Sequence, residues 1–241
     1  MGSSRLPGKM LKDLAGKPVI ARVFDRAREC AALSDVWLAT TDQSTDDVLA
    51  SWAKEQGIAC FRGSENDVLD RYYQTALAAK ADVIVRITGD CPITDARVID
   101  QVVQAFDPSQ HDYVSNTHPP TYPDGLDTEV CSFATLKRAW EDASLTSERE
   151  HVMPYIWNHP ERFRLFNVTQ TPDLSAHRWT LDTQEDLDFL RLVVQEIEAR
   201  GGSYRMEDIL TIIDAHPEWK QINAMYERNE GYTKSLQNDK T

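Results

Sequence analysis

The chain of 241 residues lacks the sequence features of membrane and secreted proteins. No apolar run approaches the roughly 20 residues that span a bilayer, and no charged segment followed by an apolar one opens the sequence. We therefore expect a cytoplasmic protein that has no membrane partner. Hydrophobic residues make up 41% of the chain, which is enough for a substantial core and excludes a disordered or fibrous class.

Cysteine and positive charge are both scarce. The four cysteines are thirty or more residues apart and form no CxxC pair, so neither a zinc site nor a disulfide framework is predicted. Lysine and arginine number 26 against 39 aspartates and glutamates, which gives a net charge of −13. A nucleic-acid partner is not expected, because binding to a phosphate backbone requires clustered basic side chains.

Two common nucleotide-binding motifs, the Walker A loop and GxGxxG, are absent as well. The first nine residues nevertheless combine flexible backbone, hydroxyl groups and fixed positive charge. The residues concerned are Gly2, Ser3, Ser4, Arg5 and Lys9. Glycine lets the backbone approach a ligand closely, and serine hydroxyls and basic side chains bind anions. This composition favours an anion cradle, most plausibly for a polyphosphate, although a glycine-serine start is also typical of a tag or a frayed terminus.

After this loop, short apolar strands alternate with helices of about ten residues or more. The predicted helices are 19–27, 46–56, 68–80, 95–106, 133–143, 186–200, 207–215 and 218–228, followed by a polar tail, and the predicted strands are 35–40, 57–61, 81–87, 112–116, 127–132, 162–168 and 178–181. Such alternation predicts an α/β fold with a doubly wound, mostly parallel sheet. Without a repeat or a linker, we expect one domain over 1–241, with a loop and strand excursion at 117–135 and a helical extension at 206–241.

Two aspartates follow predicted strands, where ligands of such sheets bind. Asp90 follows the most regular apolar strand, between a glycine and a Cys-Pro pair, and is a candidate ligand for a hard cation. An ordinary turn or N-cap aspartate fits Asp90 equally well. Asp182 precedes the helix 186–200 and is also a natural N-cap, with Glu185 completing the capping pattern.

Three further segments carry candidate functional residues. Arg71 lies on the first turns of the helix 68–80, where a solvated or ion-paired role is the simpler interpretation. The segment 117–130 contains three prolines, a tyrosine and several carboxylates, which indicates a rigid loop of a kind that is often functional. A capping pattern from Ser147 to Glu150 leaves Arg149 and His151 unexplained, and His151 is more simply a packing residue.

A series of strings, in order from residue 1 to about 228, resembles the sugar cytidylyltransferases. The strings are SSRLPGK with LAGKP, GSENDVLDRYY, GDCP, YPDGLDTE, SEREH and RWTLDTQEDL. The similarity is to the acylneuraminate and CMP-Kdo synthetases and is greatest to the spore-coat polysaccharide F type. The resemblance implies a nucleotide-diphospho-sugar transferase fold. In that family the first string follows a β-strand ending in Ala-Arg, and this first strand is missing from the present sequence.

The resemblance also implies a function and a set of site residues. It implies Mg²⁺-dependent transfer of CMP from CTP to a sugar hydroxyl with release of pyrophosphate, by a homodimer that serves surface polysaccharide synthesis. The acceptor would be an acidic sugar of the nonulosonic or Kdo class. The implied triphosphate ligands are Gly2, Ser3, Ser4, Arg5 and Lys9, the Mg²⁺ ligands Asp90 and Asp182, the nucleoside ligands Asn66 and Arg71, and the acceptor ligands Asn116, Tyr122, Asp124, Asp127, Glu129, Arg149 and Arg178. Of these, Arg5, Lys9, Asp90 and Asp182 would be catalytic, and Arg149 or Arg178 would bind the sugar carboxylate.

Two alternatives stay open at this point. The same fold could serve another nucleoside triphosphate, or a glycosyltransferase in which Asp90 binds a nucleotide-sugar diphosphate. Because the first strand is absent from the sequence, the chain could also be an inactive binding or partner protein.

Overall fold

The structure, a computed structural model, describes residues 2–3 and 5–239. Helices and strands alternate along most of it, so the predicted α/β class is confirmed. The strands are β1 (Asp13–Leu14), β2 (Lys17–Pro18), β3 (Trp37–Thr41), β4 (Ala59–Gly63), β5 (Val83–Arg86), β6 (Tyr113–Ser115), β7 (Glu129–Ser132) and β8 (Leu165–Asn167). The helices are α1 (Val19–Arg28), α2 (Asp47–Glu55), α3 (Val68–Ala79), α4 (Ala96–Gln104), α5 (Phe133–Asp142), α6 (Thr146–His151), α7 (Pro154–Trp157), α8 (Gln184–Ala199), α9 (Met206–Ala215) and α10 (Glu230–Asn238).

Local sequence explains most of the helix boundaries. Pro18 lies directly before α1, where its missing N–H costs no hydrogen bond. Asp67, Asp95 and Ser132 each accept a backbone N–H at the start of α3, α4 and α5, respectively. The apolar faces of these helices then pack against the strands, which forms the hydrophobic core.

The strands form separate open sheets. β3 and β4 pair in parallel, and β1 and β2 form a small antiparallel hairpin. The largest sheet has the order β5-β7-β6-β8, in which β5, β6 and β8 run in one direction and β7 runs against them. In the described part of the chain β8 pairs only with β6, as the prediction of an edge strand at 162–168 requires.

A deep cleft separates β3 from β5. Within the described residues, each of these strands is paired along one edge only, and both line the same cleft of about 900 Å³ together with side chains of α1 and α3.

In the last third of the chain, α8 and α9 agree with the sequence pattern, whereas tertiary contacts override it in two other segments. Residues 178–181 were predicted as a strand but make only one isolated bridge, between Asp124 and Arg178. The helix predicted over 218–228 is also wrong, because a 3₁₀ turn at Pro217–Gln221 is followed by turns. α10 forms instead in the predicted polar tail. Side-chain bonds from Asn223 to Asp186 and from Arg228 to Asp127 fix the intervening backbone in a non-helical path.

Two predicted capping patterns are shifted by one residue or more. α8 is capped by Thr183, whose hydroxyl accepts the N–H of Asp186, so Asp182 is not the cap and Glu185 does not complete it. α6 begins at Thr146, and the Glu148 carboxylate accepts the N–H groups of Ser144 and Leu145. The predicted pair of Ser147 and Glu150 is therefore not the cap. None of the helices in the described ranges is both long and apolar enough to cross a membrane.

Candidate active site

The N-terminal loop delivers a lysine into the interior. Leu6 is buried and anchors the loop, and Gly8 takes a left-handed conformation with φ 70°, which starts a 3₁₀ turn at Lys9. Ser3 accepts the N–H of Leu6 through its hydroxyl and so stabilises the loop itself. Ser4, a predicted phosphate ligand, lies outside the described residues. A side chain at Gly2 would meet the Glu65 carboxylate at 3.2 Å.

Lys9 joins the two predicted metal ligands. Its ammonium donates to Asp90 Oδ2 at 2.8 Å, to Asp182 Oδ1 at 2.9 Å and to the Leu181 carbonyl at 2.8 Å. Burial lowers the pKa of Lys9, but the two carboxylates outweigh burial and raise this pKa above its usual value. Burial raises the pKa of Asp90, but the charge of Lys9 and the hydrogen bonds from Lys9 and Thr88 together lower it, so both groups are charged at neutral pH. Asp90 and Asp182 thus lie around one point, although 92 positions separate them in the sequence.

A second basic residue, Arg178, organises the acidic groups next to Lys9. Arg178 donates to both oxygens of Asp186 at 2.8 Å and to Asp182 Oδ2 at 3.2 Å. Its remaining nitrogen, Nη1, is 3.4 Å from Asp124. Burial lowers the pKa of Arg178, and the surrounding aspartates raise it overall. Arg5 contacts the same Asp182 oxygen at 3.2 Å from the solvent side.

The proline-rich loop brings Asp124 and Asp127 to this cluster. Gly125 has φ 112°, and a Cβ there would lie 2.7 Å from the Trp179 carbonyl carbon, so only glycine fits. Burial raises the pKa of Asp124, and the negative charges of Asp90 and Asp182 raise it further. The positive charges of Arg228 and Arg178 lower this pKa but do not cancel the rise. Burial raises the pKa of Asp127 to about 7, although its partner Arg228 lowers it.

Two predicted acceptor ligands serve as the scaffold of that loop. Asn116 is fully buried, and its amide donates to the Leu126 carbonyl at 2.8 Å and accepts the Thr128 N–H at 2.9 Å. Tyr122 belongs to the main hydrophobic cluster, and its hydroxyl donates to Gln101 on α4 at 3.3 Å. The structure therefore does not place these two side chains in the charged cluster.

Glu129 and Arg149 are bound to partners elsewhere. Glu129 accepts a hydrogen bond from the Tyr113 hydroxyl at 2.6 Å and pairs with the partly buried Arg86. Arg149 donates to both oxygens of Asp67, the cap of α3, and to the Trp140 carbonyl at 2.7 Å. Its guanidinium therefore joins α6 to α3 and α5.

Of the two predicted nucleoside ligands, Arg71 lines the cleft. Arg71 donates to the Ser64 carbonyl at 2.6 Å, while its buried Nε has no hydrogen-bond partner among the described residues. Burial lowers the pKa of Arg71. Asn66 is exposed in the loop between β4 and α3. His151 packs against Tyr232 and shares a hydrogen bond of 3.0 Å with Ser235, in line with the simpler interpretation of this histidine.

Sequence reasoning missed three charged residues of the site: Asp186, Arg228 and Glu230. Asp186 sits in the third position of a capping box, and that pattern explains only its structural bonds. Arg228 and Glu230 carry no local signal, because their partners Asp127 and Arg5 are about 100 and 225 positions away.

Comparisons with known proteins agree on one family. The family model described as cytidylyltransferase matches residues 1–229. The chain is 33% identical over 228 residues to the spore coat polysaccharide biosynthesis protein SpsF of Bacillus subtilis, covering 90% of this chain and 92% of that protein. A 3-deoxy-manno-octulosonate cytidylyltransferase of Nitratidesulfovibrio vulgaris is 40% identical over 109 residues, which cover 43% of this chain and 42% of that protein. The solved structure of a cytidylyltransferase from Leptospira borgpetersenii superposes with a TM-score of 0.87 and 31% identity, covering 94% and 95% of the two chains.

Proposed function

The chain belongs to the cytidylyltransferase family and is thus a nucleotidyltransferase with the nucleotide-diphospho-sugar transferase fold, and from that premise we propose that it transfers CMP from CTP to an acidic sugar. A sugar hydroxyl would attack the α-phosphorus, and pyrophosphate would leave. The names of the relatives, a spore coat polysaccharide protein and a 3-deoxy-manno-octulosonate cytidylyltransferase, support a role in surface polysaccharide synthesis.

One observation carries this proposal: Lys9 and Arg5 meet Asp90 and Asp182 at a single point. Phosphoryl and nucleotidyl transfer depend mainly on alignment and on charge stabilisation, for which such a cluster is suited. Lys9 and Arg5 would bind the triphosphate, and their positive charge would stabilise the charge that develops on the leaving pyrophosphate. Arg71 donates to Ser64 in the loop that also contains Asn66, and these two residues would face the nucleoside.

The donor set fits Mg²⁺ only when the substrate completes the site. In the described part of the chain, no three His, Cys, Asp or Glu side chains form a metal-binding group. Asp90 and Asp182 offer two hard oxygen ligands at one point, and Mg²⁺ commonly binds one or two carboxylates together with substrate phosphates. These two residues would hold the ion, which neutralises phosphate charge when bound.

Asp127 is the group best suited to accept the proton of the attacking hydroxyl. Its pKa of about 7 lies near neutral pH, where a general base is most effective. Asp127 also lies next to the charged cluster, because the negative charges of Asp90 and Asp182 contribute to the raised pKa of its neighbour Asp124. Arg228 would hold the carboxylate of Asp127 in place before the reaction.

Arg178 is the more suitable partner for the sugar carboxylate. Its Nη1 is held only weakly, by Asp124 at 3.4 Å and by the Glu227 carbonyl at 3.5 Å, and can exchange those contacts for a ligand. Arg149, in contrast, is fully engaged by Asp67 and the Trp140 carbonyl.

Calorimetric titration with CTP, UTP and a UDP-sugar, each with Mg²⁺, tests the nucleotide preference. We expect CTP to bind most tightly, and Asp90→Asn to weaken CTP binding in the presence of Mg²⁺ more than in its absence. A preference for the UDP-sugar would instead support a glycosyltransferase, and the absence of binding to any of the three would support a partner protein. Asp188→Asn, an exposed aspartate on α8, serves as the matched control.

A further inference from the structure

The C-terminal strap, defined here as residues 226–239, lies across the candidate active site. The Tyr226 ring packs on Arg178 with the guanidinium carbon 5.6 Å from the ring centre. Arg228 donates to the Tyr122 carbonyl at 3.0 Å and pairs with Asp127. The helix α10 then runs along α6 and ends where Asp239 accepts the Ser147 N–H at 2.9 Å. α10 follows the residues that the family model matches.

Polar contacts hold most of this strap, together with the half-buried ring of Tyr232, which packs edge-on against His151 and Trp157. The only buried residue of α10 is Ser235, which is bound to Glu150 at 2.6 Å and shares a bond with His151. Leu236 is 38% exposed. Because burial of apolar surface supplies most of the stability of docked helices, a helix held by surface ion pairs and hydrogen bonds is released at low cost.

Glu230 is bound directly to the phosphate-binding loop. Its Oε2 accepts from Arg5 Nη1 at 2.7 Å, and its Oε1 accepts the Glu227 N–H at 3.3 Å. The other terminal nitrogen of Arg5 contacts Asp182 at 3.2 Å. The guanidinium therefore has carboxylate oxygens where a ligand phosphate would place its own oxygens, and both kinds of oxygen form the same charge-assisted bonds.

We propose that Glu230 is a built-in competitor for Arg5, so that a bound polyphosphate displaces the Glu230 carboxylate and releases the C-terminal strap. This inference rests on the proposed role of Arg5 as a phosphate ligand. A triphosphate carries more negative charge than one carboxylate and reaches Lys9 as well, so it wins the competition once it is bound. In the absence of ligand, Glu230 neutralises Arg5 and keeps the strap over Asp127 and Arg178.

Glu230→Gln tests the competition, because it removes the charge and keeps the shape of the side chain. Glu227→Gln is the matched control, since Glu227 is exposed on the same strap and carries the same charge. An ion pair of this exposure opposes ligand binding by about two- to fivefold, so Glu230→Gln is expected to bind CTP and inorganic tripolyphosphate two- to fivefold more tightly than Glu227→Gln.

Hydrogen exchange of the amides in α10 supplies the second measurement. We expect saturating tripolyphosphate or CTP to speed exchange there severalfold in the unchanged protein. Glu230→Gln is expected to speed it without ligand, and Glu227→Gln is not. Ser235→Ala removes a contact of the strap and leaves the Arg5–Glu230 pair intact. It is also expected to tighten CTP binding, because the ligand-free state with the docked strap becomes less stable.

The outcomes separate this inference from the proposed function. Equal CTP affinity in Glu230→Gln and Glu227→Gln, or unchanged exchange in α10 on ligand binding, overturns the competition and leaves the cytidylyltransferase proposal standing. If tripolyphosphate binds and releases the strap but CTP binds no more tightly than UTP, the competition stands and the proposed preference for CTP fails. If neither ligand binds any variant, Arg5 is no phosphate ligand and both proposals fail.

Discussion

Replacement of Lys9 by methionine should destabilise the protein far more than the same change at Lys17. Methionine keeps the length of the side chain but removes all three bonds of the Lys9 ammonium and leaves Asp90 and Asp182 facing each other. Removing one partner of a fully buried ion pair costs about 3–5 kcal/mol. Because the side chains of the two aspartates are 24% and 27% exposed, water compensates part of that loss. We therefore expect Lys9→Met to cost about 2–3 kcal/mol.

Lys17 provides a control with the same geometry in a different environment. Its ammonium lies 2.8 Å from Asp25 Oδ2, the same distance as in the Lys9–Asp90 pair, but its side chain is 55% exposed against 11% for Lys9. Exposed pairs contribute about 1 kcal/mol or less, so Lys17→Met should have little effect. Urea denaturation at pH 7.5 measures both free energies of unfolding. If both variants lost the same free energy of unfolding, neither the burial of Lys9 nor its bonds to two aspartates would account for the stability of the cluster.

Three further results are expected. Between about pH 4 and 7 the folded protein retains a proton on Asp127 that the unfolded chain releases, so the free energy of unfolding should fall as pH rises, by at most about 1.4 kcal/mol per pH unit. Denaturation at each pH measures this profile, and Asp127→Asn should flatten it. A profile that is unchanged in the variant contradicts the raised pKa of Asp127. Mg²⁺ added with CTP should raise the thermal midpoint above that with CTP alone, and should fail to do so in Asp182→Asn; the same rise in the variant would remove Asp182 from the metal site. Gly125→Ala should lower the free energy of unfolding by about 2 kcal/mol or more, because the added Cβ meets the Trp179 backbone. Gly57→Ala, at a residue with φ 64° and open space around it, should lower it by about 1 kcal/mol. Similar urea midpoints in the two variants would argue against the close contact at Gly125.

Local sequence predicts the first two thirds of the fold well. The caps of α3, α4 and α5 and the apolar pattern of α1 are set by neighbouring residues, so the predicted and observed boundaries of these helices agree closely. After residue 177 the helices α8 and α9 form close to their predicted bounds, but the segments 178–181 and 217–229 behave differently. The path of 217–229 is fixed by bonds to Asp186 and Asp127, and no local pattern contains these distant partners. Long-range contacts therefore prevail there over intrinsic helix propensity.

The candidate site divides in the same way. Asp90 and Lys9 could be singled out by their positions in a strand-end loop and in an anion-binding composition. Their direct pairing could not be predicted, because 81 positions separate them. Asn116 and Arg149 show a second limit of the sequence, since these two implied acceptor ligands are bound to the Leu126 carbonyl and to Asp67. The roles of all the site residues stay predictions until variants are measured, and so do the homodimer and the single-domain boundaries.

Product analysis tests the central claim most directly. The protein is incubated with Mg²⁺, CTP labelled at the α-phosphorus, and a panel of nonulosonic and Kdo-type acids, with matched neutral sugars as controls. We expect the label to appear in a CMP-sugar of one of the acids, identified by mass spectrometry, with one pyrophosphate released for each molecule formed. Label that stays in CTP with every acid, or that moves to a neutral sugar as readily as to an acid, would contradict the transfer of CMP to an acidic sugar.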